Sequence, residues 1–293
     1  MRILVTGGTG FLGSAFVQHA IAAGHSVGCL VRSTASPLPE GVTRLTGTVG
    51  NPPWTTIEAF RPEACVHSAW IATPGVYLES PENDDWVTWS QSFLEGLVER
   101  GVTRVVALGT CIEYRITGAP LSDHSTPLAP VSRYARAKQR LHETLRPSLE
   151  AQGVSLAWAR VFYPYGEHEH RDRFISSLLR RLRAGEIVAL RTPTSVKDYI
   201  HADDVASALA AVLDHAHDGA INIGTGTGVA VGDIARILAD RIGRPELIRL
   251  PEHPVADPLD HVVADATLLR SLGWSPQVTL ERGLDRMIQA SLP

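Results

Sequence analysis

Short apolar runs alternate along the first half of the chain with longer segments whose apolar residues recur at helical spacing. The short runs have the composition of buried strands, and glycines or polar turns follow them. Continuous apolar strands separated by helices are typical of a parallel sheet covered on both faces, so the pattern predicts a doubly wound α/β fold. The predicted strands are Arg2–Thr6, Ser26–Val31, Thr43–Leu45, Ala64–Ser68, Arg104–Leu108 and Ser155–Phe162, and the predicted helices are Phe11–Ala23, Trp86–Arg100 and Ser132–Leu149.

The pattern becomes less regular after Gly166. The elements predicted there are an extended segment at Lys197–Ile200, a short strand at Ile221–Ile223, and helices at Arg171–Arg183, Ala202–Asp214, Val231–Ile242 and Thr279–Ser291. We therefore expect a larger domain over residues 1–165, to which 197–224 returns, and a smaller C-terminal cap formed by 166–196 and 225–293.

The composition of the chain restricts the classes of partner and the compartment that we expect for it. The chain has 293 residues, a net charge of −4 and a charged fraction of 20%, which is ordinary for a soluble globular protein. Nothing in this balance suggests a nucleic acid or an anionic membrane as partner, and the apolar runs are too short to span a bilayer. Cys29, Cys65 and Cys111 show neither metal-ligand spacing nor a disulfide framework. Because the first residues also lack the features of a signal peptide, we expect a reduced, cytoplasmic protein.

Three glycines follow the first predicted strand and open the first predicted helix. Gly7, Gly10 and Gly13 form G-x-x-G-x-x-G, with Phe11 and Leu12 inside the motif. Such a loop turns tightly, lets its backbone approach a pyrophosphate, and presents the free N–H groups of a helix N-terminus. A packing turn is the alternative, but the place of the motif between strand and helix favours a dinucleotide site in the larger domain.

The end of the second predicted strand bears on which dinucleotide binds. NAD sites often have an acidic residue there to bind a ribose hydroxyl, whereas this chain has Arg32 and Ser33. A guanidinium can pair with a 2′-phosphate, and a serine hydroxyl can donate to it. We therefore expect NADP(H) rather than NAD(H), the alternative being that Arg32 is an ordinary surface arginine.

Lys138 is one of only two lysines, although the chain has 27 Lys and Arg residues together. A lysine retained where arginine is the usual cation favours a role that needs a compact ammonium with an adjustable pKa. Tyr134 stands four residues earlier, so both side chains lie on one face of the predicted helix. An ammonium beside a phenol is expected to lower the phenol pKa from about 10 towards the range of a general acid or base. A solvated Tyr–Lys pair on an amphipathic helix is the alternative.

Thr110 follows the strand Arg104–Leu108, at the carboxyl edge where open α/β sheets bind ligands. Together with Tyr134 and Lys138 it forms a set suited to moving a hydride to or from a carbinol carbon beside a nicotinamide. In this interpretation the phenol exchanges the hydroxyl proton, the lysine adjusts the phenol and holds a ribose, and the threonine hydrogen-bonds the substrate oxygen. The alternative for Thr110 is a helix or turn cap.

Six short motifs occur along the chain in an order that is typical of one protein family. In chain order the motifs are Thr6–Gly13 (TGGTGFLG), Tyr134-x-x-x-Lys138, Tyr165-Gly166, Lys197–Asp204 (KDYIHADD), Asn222–Gly226 (NIGTG) and Leu272–Leu284 (LGWSPQVTLERGL). Over nearly its whole length the chain resembles the extended short-chain dehydrogenase/reductase family, in its NAD(P)-dependent epimerase/dehydratase branch. The resemblance implies a Rossmann-type sheet with a substrate-binding cap, a nucleotide-sugar substrate, and a homodimer formed through the helices Trp86–Arg100 and Ser132–Leu149. It also adds Ala69 to the expected cofactor site.

Dehydratases of this branch carry an Asp-Glu pair directly after the catalytic threonine, where this chain has Cys111-Ile112. Neither side chain can transfer protons at a sugar carbon, so the resemblance disfavours dehydration. Glu113 comes one position late and is expected to point elsewhere.

Epimerases and reductases of the branch share the same catalytic residues, and other features favour a reductase. The expected NADP(H) suits a reduction that consumes cofactor. Tyr163 replaces the usual asparagine that contacts the sugar nucleotide, so placement of the sugar should differ. The segments HSAW, which ends at Trp70, and GTCIEY are similar to those of 4-ketoreductases. Trp70 is expected to line the nicotinamide or sugar pocket. The alternative is that it is an ordinary tryptophan of the hydrophobic core.

The diphosphate of a nucleotide sugar needs cations. We expect Lys197 and one of Arg171 and Arg173 to meet it, a solvated helix face being the alternative for the two arginines. Asn222 is expected to shape the pocket from within the cap. His168-Glu169-His170 has the composition of a metal cluster, but no further ligand is evident nearby and we expect no metal.

These features predict an NADPH-dependent reductase of the 4-keto group of a nucleotide-diphosphate-linked deoxyhexose, with Tyr134 as proton donor. The first alternative is a nucleotide-sugar 4-epimerase that keeps a tightly bound NAD. The second is a non-catalytic, NADP(H)-sensing regulator with the same fold.

Overall fold

A parallel β-sheet forms the centre of the protein, for which a computed structural model describes residues 1–291. The strands in chain order are β1 (Arg2–Thr6), β2 (Ser26–Val31), β3 (Thr43–Thr46), β4 (Ala64–His67), β5 (Arg104–Thr110), β6 (Ser155–Val161), β7 (Tyr163–Tyr165), β8 (Val188–Ala189), β9 (Val196–Lys197), β10 (Tyr199–His201), β11 (Gly219–Ile223), β12 (Val229–Ala230) and β13 (Ile248–Arg249). Seven of them form the main sheet in the order β11-β6-β5-β4-β1-β2-β3, and all its neighbours are parallel. The strand order reverses beside β1, which is where sheets of this kind bind ligands.

Helices cover both faces of this sheet. The helices in chain order are α1 (Phe11–Ala22), α2 (Trp54–Phe60), α3 (Glu82–Val98), α4 (Arg133–Glu150), α5 (Phe174–Arg183), α6 (Ala202–Asp214), α7 (Val231–Ile242), α8 (Thr267–Ser271) and α9 (Leu280–Ala290). Helices α1 and α6 pack together on one face, where Phe16 and Leu209 share a core. Helices α3 and α4 pack on the other face, around Phe93 and Leu141. Burial on both faces explains why the strands read as continuous apolar runs.

A third core lies outside the main sheet. It is formed by α5, α7 and α9, which contribute Leu178, Ile234 and Leu284, and the short pairs β8–β13 and β9–β12 border it. Strand β11, which precedes part of this core in the chain, belongs to the main sheet and pairs with β6. The division into a dinucleotide-binding domain and a substrate-binding cap stays a prediction.

The α/β fold class predicted from the apolar pattern is confirmed, and several bounds differ. Helix α3 begins at Glu82 rather than Trp86, because its first turn is acidic and polar and carries no apolar repeat. Helix α5 begins at Phe174 rather than Arg171, since the residues between them form a turn. Strands β9 and β10 overlap the extended segment predicted at Lys197–Ile200. Helices α2 and α8 and the other two- and three-residue strands were not predicted, because so few residues do not establish a period. Within residues 1–291 no helix combines the length and apolarity that crossing a membrane requires.

The buried carboxylate of Asp198 joins three segments of the chain. Asp198 is fully buried, and its two oxygens accept hydrogen bonds from the backbone and hydroxyl of Thr225 and from the backbone N–H groups of Gly226 and Ala264. These N–H groups have no strand partner of their own, so one side chain provides their acceptors. The connection between β9 and β10 is thereby fixed to the loop after β11.

Replacing Asp198 by Ala should lower the free energy of unfolding by about 3 kcal/mol, because the buried N–H groups lose their acceptor. Urea denaturation followed by circular dichroism measures the change. Asp240→Ala, at an exposed position on α7, is the matched control and should stay within about 0.5 kcal/mol of wild type. Equal stability of the two variants would show that the Asp198 bonds contribute nothing.

Candidate functional site

The carboxyl ends of β1, β4, β5 and β6 open into a cleft of about 390 Å³. Most residues predicted from the sequence to bind or react lie on its wall. They are Gly7, Gly10, Phe11, Leu12, Gly13, Ala69, Trp70, Thr110, Tyr134, Lys138, Tyr163 and Arg173. Four predicted residues lie outside this wall, namely Arg32, Ser33, Arg171 and Lys197.

The backbone of the glycine loop packs so closely that Gly7 and Gly13 have no room for a side chain. Gly7 has φ of 69°, which favours glycine, and its carbonyl accepts from the N–H of Gly10 at 2.8 Å. A Cβ on Gly13 would lie 2.1 Å from the Gly7 carbonyl oxygen. The first turn of α1 carries no acidic residue, so its N–H groups and positive dipole end face the cleft without a neutralising charge. This loop can therefore hold an anion of the size of a pyrophosphate.

A buried imidazole fixes the segment opposite the loop. His67 shares a hydrogen bond of 2.9 Å with the Thr6 hydroxyl and another of 2.9 Å with Ser90. Burial, assisted by nearby Lys138, lowers the pKa of His67 to about 3, so the ring is neutral. The hydroxyl of Ser68 donates to the Thr6 carbonyl at 2.7 Å. These bonds set the ends of β1 and β4 side by side, which brings Ser68 against the glycine loop.

Two cations, Arg32 and Arg44, lie near the end of β2. Arg32 and Ser33 are exposed there, and the Ser33 hydroxyl accepts from the N–H of Ala35 at 3.1 Å. Arg44, on the neighbouring strand β3, donates to the Ser33 carbonyl at 3.3 Å. Sequence reasoning missed Arg44, although the adjacency of two consecutive parallel strands was a signal that could have found it.

Thr110 ends β5 with its backbone tied to a buried carboxylate. Its N–H donates to Glu113 at 2.8 Å, and Glu113 also forms an ion pair of 2.7 Å with Arg160. Trp158 donates its indole N–H to the same carboxylate at 3.1 Å. Glu113 therefore points away from the cleft, as expected from its position one residue late, and its oxygens are already occupied.

Tyr134 and Lys138 enter the cleft from the first turns of α4. Ser132 caps this helix, its hydroxyl accepting from the N–H of Ala135 at 3.1 Å. The Lys138 ammonium donates to the Leu108 carbonyl at 2.7 Å and lies 5.9 Å from the centre of the Tyr134 ring. The helical spacing thus brings phenol and ammonium to one wall.

The expected lowering of the Tyr134 pKa is wrong for the protein chain itself. Burial raises the pKa of this phenol above its usual value, neighbouring Tyr77 adds to the rise, and the Thr110 hydroxyl opposes it. Burial also lowers the pKa of Lys138 to about 7, against an opposing effect of Glu113. The reason for the error is that the sequence revealed the ammonium beside the phenol but not the depth at which both are buried.

Two aromatic side chains flank the pair. The Trp70 ring lies 3.8 Å from the Lys138 ammonium, which is a cation–π contact. Tyr77 packs edge-on against Tyr134, with ring centres 4.9 Å apart. Trp70 was predicted as a wall of the pocket. Tyr77 was missed, because a lone tyrosine in a loop with no periodic pattern gives no signal.

The predicted diphosphate cations are divided between the cleft and other surfaces. Arg173 lines both the cleft and an adjoining cavity of about 440 Å³, which also contains Lys197. Lys197 is paired with Asp257 at 2.9 Å. Arg171 is exposed and faces neither space. Arg181 and Arg191, which sequence reasoning did not select, also line the second cavity.

Within residues 1–291, no three His, Cys, Asp or Glu side chains come together in a group that could hold a metal ion. In the His168-Glu169-His170 segment, Glu169 turns inward to the N–H of Ser176 at 2.9 Å. The three cysteines are free and buried, and burial raises the pKa of Cys111 to about 12. Asn222 is fully buried, accepts from the Tyr114 hydroxyl at 2.8 Å and donates to the Leu121 carbonyl.

Comparison with known proteins gives consistent matches over the length of the chain. A model of the NAD dependent epimerase/dehydratase family matches residues 3–224. A UDP-glucose 4-epimerase of Corynebacterium glutamicum is 24% identical over 95% of this chain and 92% of its own length. A dTDP-6-deoxy-L-talose 4-dehydrogenase (NAD(P)(+)) of Kitasatospora kifunensis is 27% identical over 97% and 93%.

Among solved structures, the complex of Thermus thermophilus UDP-glucose 4-epimerase with NAD matches with a TM-score of 0.85. The match covers 99% of this chain and 98% of that one at 24% identity, so it establishes the fold.

Replacing Gly13 by Ala should weaken binding of NADPH and NADH by at least about tenfold, because the added methyl group displaces the loop from the pyrophosphate position. Fluorescence titration of the reduced cofactors measures the dissociation constants. Gln18→Ala, exposed on the same helix, is the control and should bind as wild type does. Unchanged affinity in the Gly13 variant would exclude this loop as the phosphate site.

Proposed function

The chain belongs to the NAD-dependent epimerase/dehydratase family, and we propose that it is an NADPH-dependent reductase of the 4-keto group of a nucleotide-diphosphate-linked deoxyhexose. Family membership confirms the resemblance drawn from the sequence motifs. The observation that carries the proposal is that Thr110, Tyr134 and Lys138 share one cleft with the glycine loop.

A dinucleotide fits the residues that line this cleft. Gly7, Gly10 and Gly13 leave the loop surface free of side chains, and the N-terminus of α1 begins at this surface without an acidic neighbour. Free N–H groups and an uncompensated helix dipole are suited to a pyrophosphate. When bound, NADPH supplies the hydride that a carbonyl carbon requires.

Tyr134 is the proposed proton donor. Burial raises its pKa and keeps the phenol protonated, which is the form that reduction needs as the carbonyl oxygen gains negative charge. The Thr110 hydroxyl donates a hydrogen bond to the same oxygen. Lys138 uses one N–H on the Leu108 carbonyl, so its ammonium retains donors for the cofactor ribose and for reprotonation of the phenol. The carbonyl carbon receives the hydride, the oxygen receives the phenolic proton, and the product is a secondary alcohol.

The residues after Thr110 favour reduction over dehydration. Cys111 and Ile112 occupy the positions where dehydration needs carboxylates, and the Glu113 carboxylate is engaged by Arg160. A protonated phenol also suits reduction better than the alcohol oxidation with which an epimerase begins. The relative named dTDP-6-deoxy-L-talose 4-dehydrogenase (NAD(P)(+)) supports the same assignment.

The adjoining cavity is the proposed place for the nucleotide. Tyr163 and Arg173 line both spaces, so they stand where the sugar would meet the diphosphate. Arg191 provides further positive charge in the second cavity. Lys197 and Arg181 also line it, each paired with a carboxylate, Asp257 and Glu186 respectively. Trp70 lines the cleft, where its ring would contact the sugar or the nicotinamide.

Arg32 and Arg44 support the preference for NADP(H). Arg32 follows the carboxyl end of β2, and the Arg44 side chain reaches the same turn from the second position of β3, where it donates to the Ser33 carbonyl. A 2′-phosphate on the adenosine ribose would be bound at this turn, and Ser33 adds a hydroxyl. Two guanidinium groups bind a dianionic phosphate more tightly than a ribose hydroxyl.

A 4-epimerase with tightly bound NAD remains the second candidate, since the relatives include enzymes named UDP-glucose 4-epimerase. Such an enzyme would be purified with its cofactor and would interconvert two sugars without net oxidation of NADPH.

We further propose a cytoplasmic homodimer. Three free buried cysteines suit a reducing compartment. The expected dimer face on α3 and α4 exposes Trp89 among polar and charged groups such as Arg136 and Glu143, so its contacts would be largely polar.

Replacing Tyr134 by Phe should reduce kcat by roughly 100-fold to 10,000-fold, because the ring remains but the acid is lost. Loss of NADPH absorbance with a panel of dTDP-, CDP-, GDP- and UDP-linked 4-keto-6-deoxyhexoses measures turnover. The control is Thr144→Val, which removes a hydroxyl at an exposed position of the same helix. Turnover that survives in the Tyr134 variant would assign the proton donor elsewhere.

Replacing Arg32 by Asp should lower the ratio of kcat/KM for NADPH to that for NADH by at least about tenfold, since a carboxylate repels the 2′-phosphate and binds a ribose hydroxyl. Steady-state kinetics with both cofactors measure the ratio. Arg282→Asp, an exposed change of equal charge on α9, should leave it unchanged. The same ratio in both variants would count against NADP(H) recognition by Arg32.

A further inference from the structure

Asn83, at the start of α3, is a fully buried polar residue that belongs to none of the roles assigned above. Its side-chain amide makes three hydrogen bonds. The oxygen accepts from the indole N–H of Trp70 at 2.8 Å, and the nitrogen donates to the carbonyls of Tyr77 and Ser80 at 2.7 and 2.9 Å. The two groups thus held, Trp70 and the segment that carries Tyr77, each contact one member of the Tyr134–Lys138 pair.

The first contact is with the ammonium. Trp70 lies 3.8 Å from the Lys138 nitrogen, while its ring edge is fixed by the bond to Asn83. An indole N–H buried without an acceptor carries a desolvation cost, and Asn83 provides the acceptor in this ring orientation. A turned ring would leave the ammonium without its aromatic partner.

The second contact is with the phenol. Residues 71–80 form a largely exposed loop, yet Tyr77 on this loop packs against the Tyr134 ring at 4.9 Å. The loop is held by Asn83 at two carbonyls and by the N–H of Tyr134, which donates to the Leu78 carbonyl at 2.9 Å. Within residues 1–291 the Tyr77 hydroxyl has no hydrogen-bond partner, so it is available to a ligand in the cleft.

We propose that Asn83 is a positioning residue for the reaction, because one amide orients Trp70 against Lys138 and Tyr77 against Tyr134. The catalytic part of this inference rests on the proposed function, whereas the orientation of Trp70 and Tyr77 by Asn83 does not depend on it. A residue that only anchored the loop would influence stability alone. A positioning residue instead alters turnover while the cofactor is still bound, because Asn83 forms its side-chain hydrogen bonds with Trp70, Tyr77 and Ser80 and not with the glycine loop.

The kinetic test compares Asn83→Ala and Asn83→Asp with Ser92→Ala, an exposed position on the same helix. The aspartate keeps the size and the acceptor for Trp70 but loses both donors to the loop. Both Asn83 variants should lower kcat with the best 4-ketosugar at least about tenfold while the NADPH dissociation constant stays within about twofold. The control should match wild type. Unchanged kcat in a folded Asn83→Ala protein would overturn the proposal.

A second readout needs no substrate. The chain has only two lysines, so protein labelled with ¹³C at the lysine ε position gives two NMR signals from lysine. The aromatic ring current of Trp70 should shift the Lys138 signal upfield, and Trp70→Phe identifies that signal. Asn83→Ala should remove most of the shift, Asn83→Asp should preserve it, and Ser92→Ala should leave it unchanged.

The two readouts separate the two proposals. If none of the ketosugars tested supports oxidation of NADPH by the wild-type protein, the proposed function fails. The lysine spectra then still decide whether Asn83 sets the orientation of Trp70 against Lys138. If wild type is active but Asn83→Ala leaves both kcat and the Lys138 signal unchanged, only the role of Asn83 is rejected. A changed signal with unchanged kcat would also reject it, because orientation would then have no catalytic effect.

Discussion

A fully buried ion pair between Glu113 and Arg160 supports the working end of the sheet. The carboxylate binds the Thr110 N–H and the Trp158 indole, and the guanidinium reaches the Tyr114 hydroxyl, which in turn donates to Asn222. Taking two charges out of water is costly, and the arrangement is stable only when their hydrogen bonds are satisfied, as they are here. The pair thereby connects the ends of β5, β6 and β11, and the orientation of Thr110 follows from it.

Features that depend on neighbours in the sequence were predicted well. The glycine loop, the Tyr134–Lys138 spacing and the strand that ends at Thr110 are all local patterns, and the cleft brings them together. Features that depend on contacts between distant segments were not. Tyr77 and Arg44 were missed because a loop and a neighbouring strand bring them to their places. Arg171, one of the two arginines expected at the diphosphate, lies outside both cavities, since the helix expected there begins later.

Burial is also what sequence reasoning underestimated in the electrostatics. Lys138 was expected to make Tyr134 more acidic, but both groups are desolvated, so the pKa of the phenol is raised and the pKa of the lysine is lowered to about 7. A neutral phenol is the reactant form of an acid catalyst. The phenol therefore holds its proton before any ligand binds, as a proton donor must, while its raised pKa opposes release of that proton.

The place of β11 in the sheet has a consequence for biosynthesis. Strand β6 is buried along nearly its whole length, and its outer partner is supplied by residues 219–223, after α5 and α6 have been made. A nascent chain that has emerged only as far as α6 therefore exposes an apolar strand edge, a template for mispairing with other chains. That edge stays open to such mispairing until the last strand of the sheet arrives.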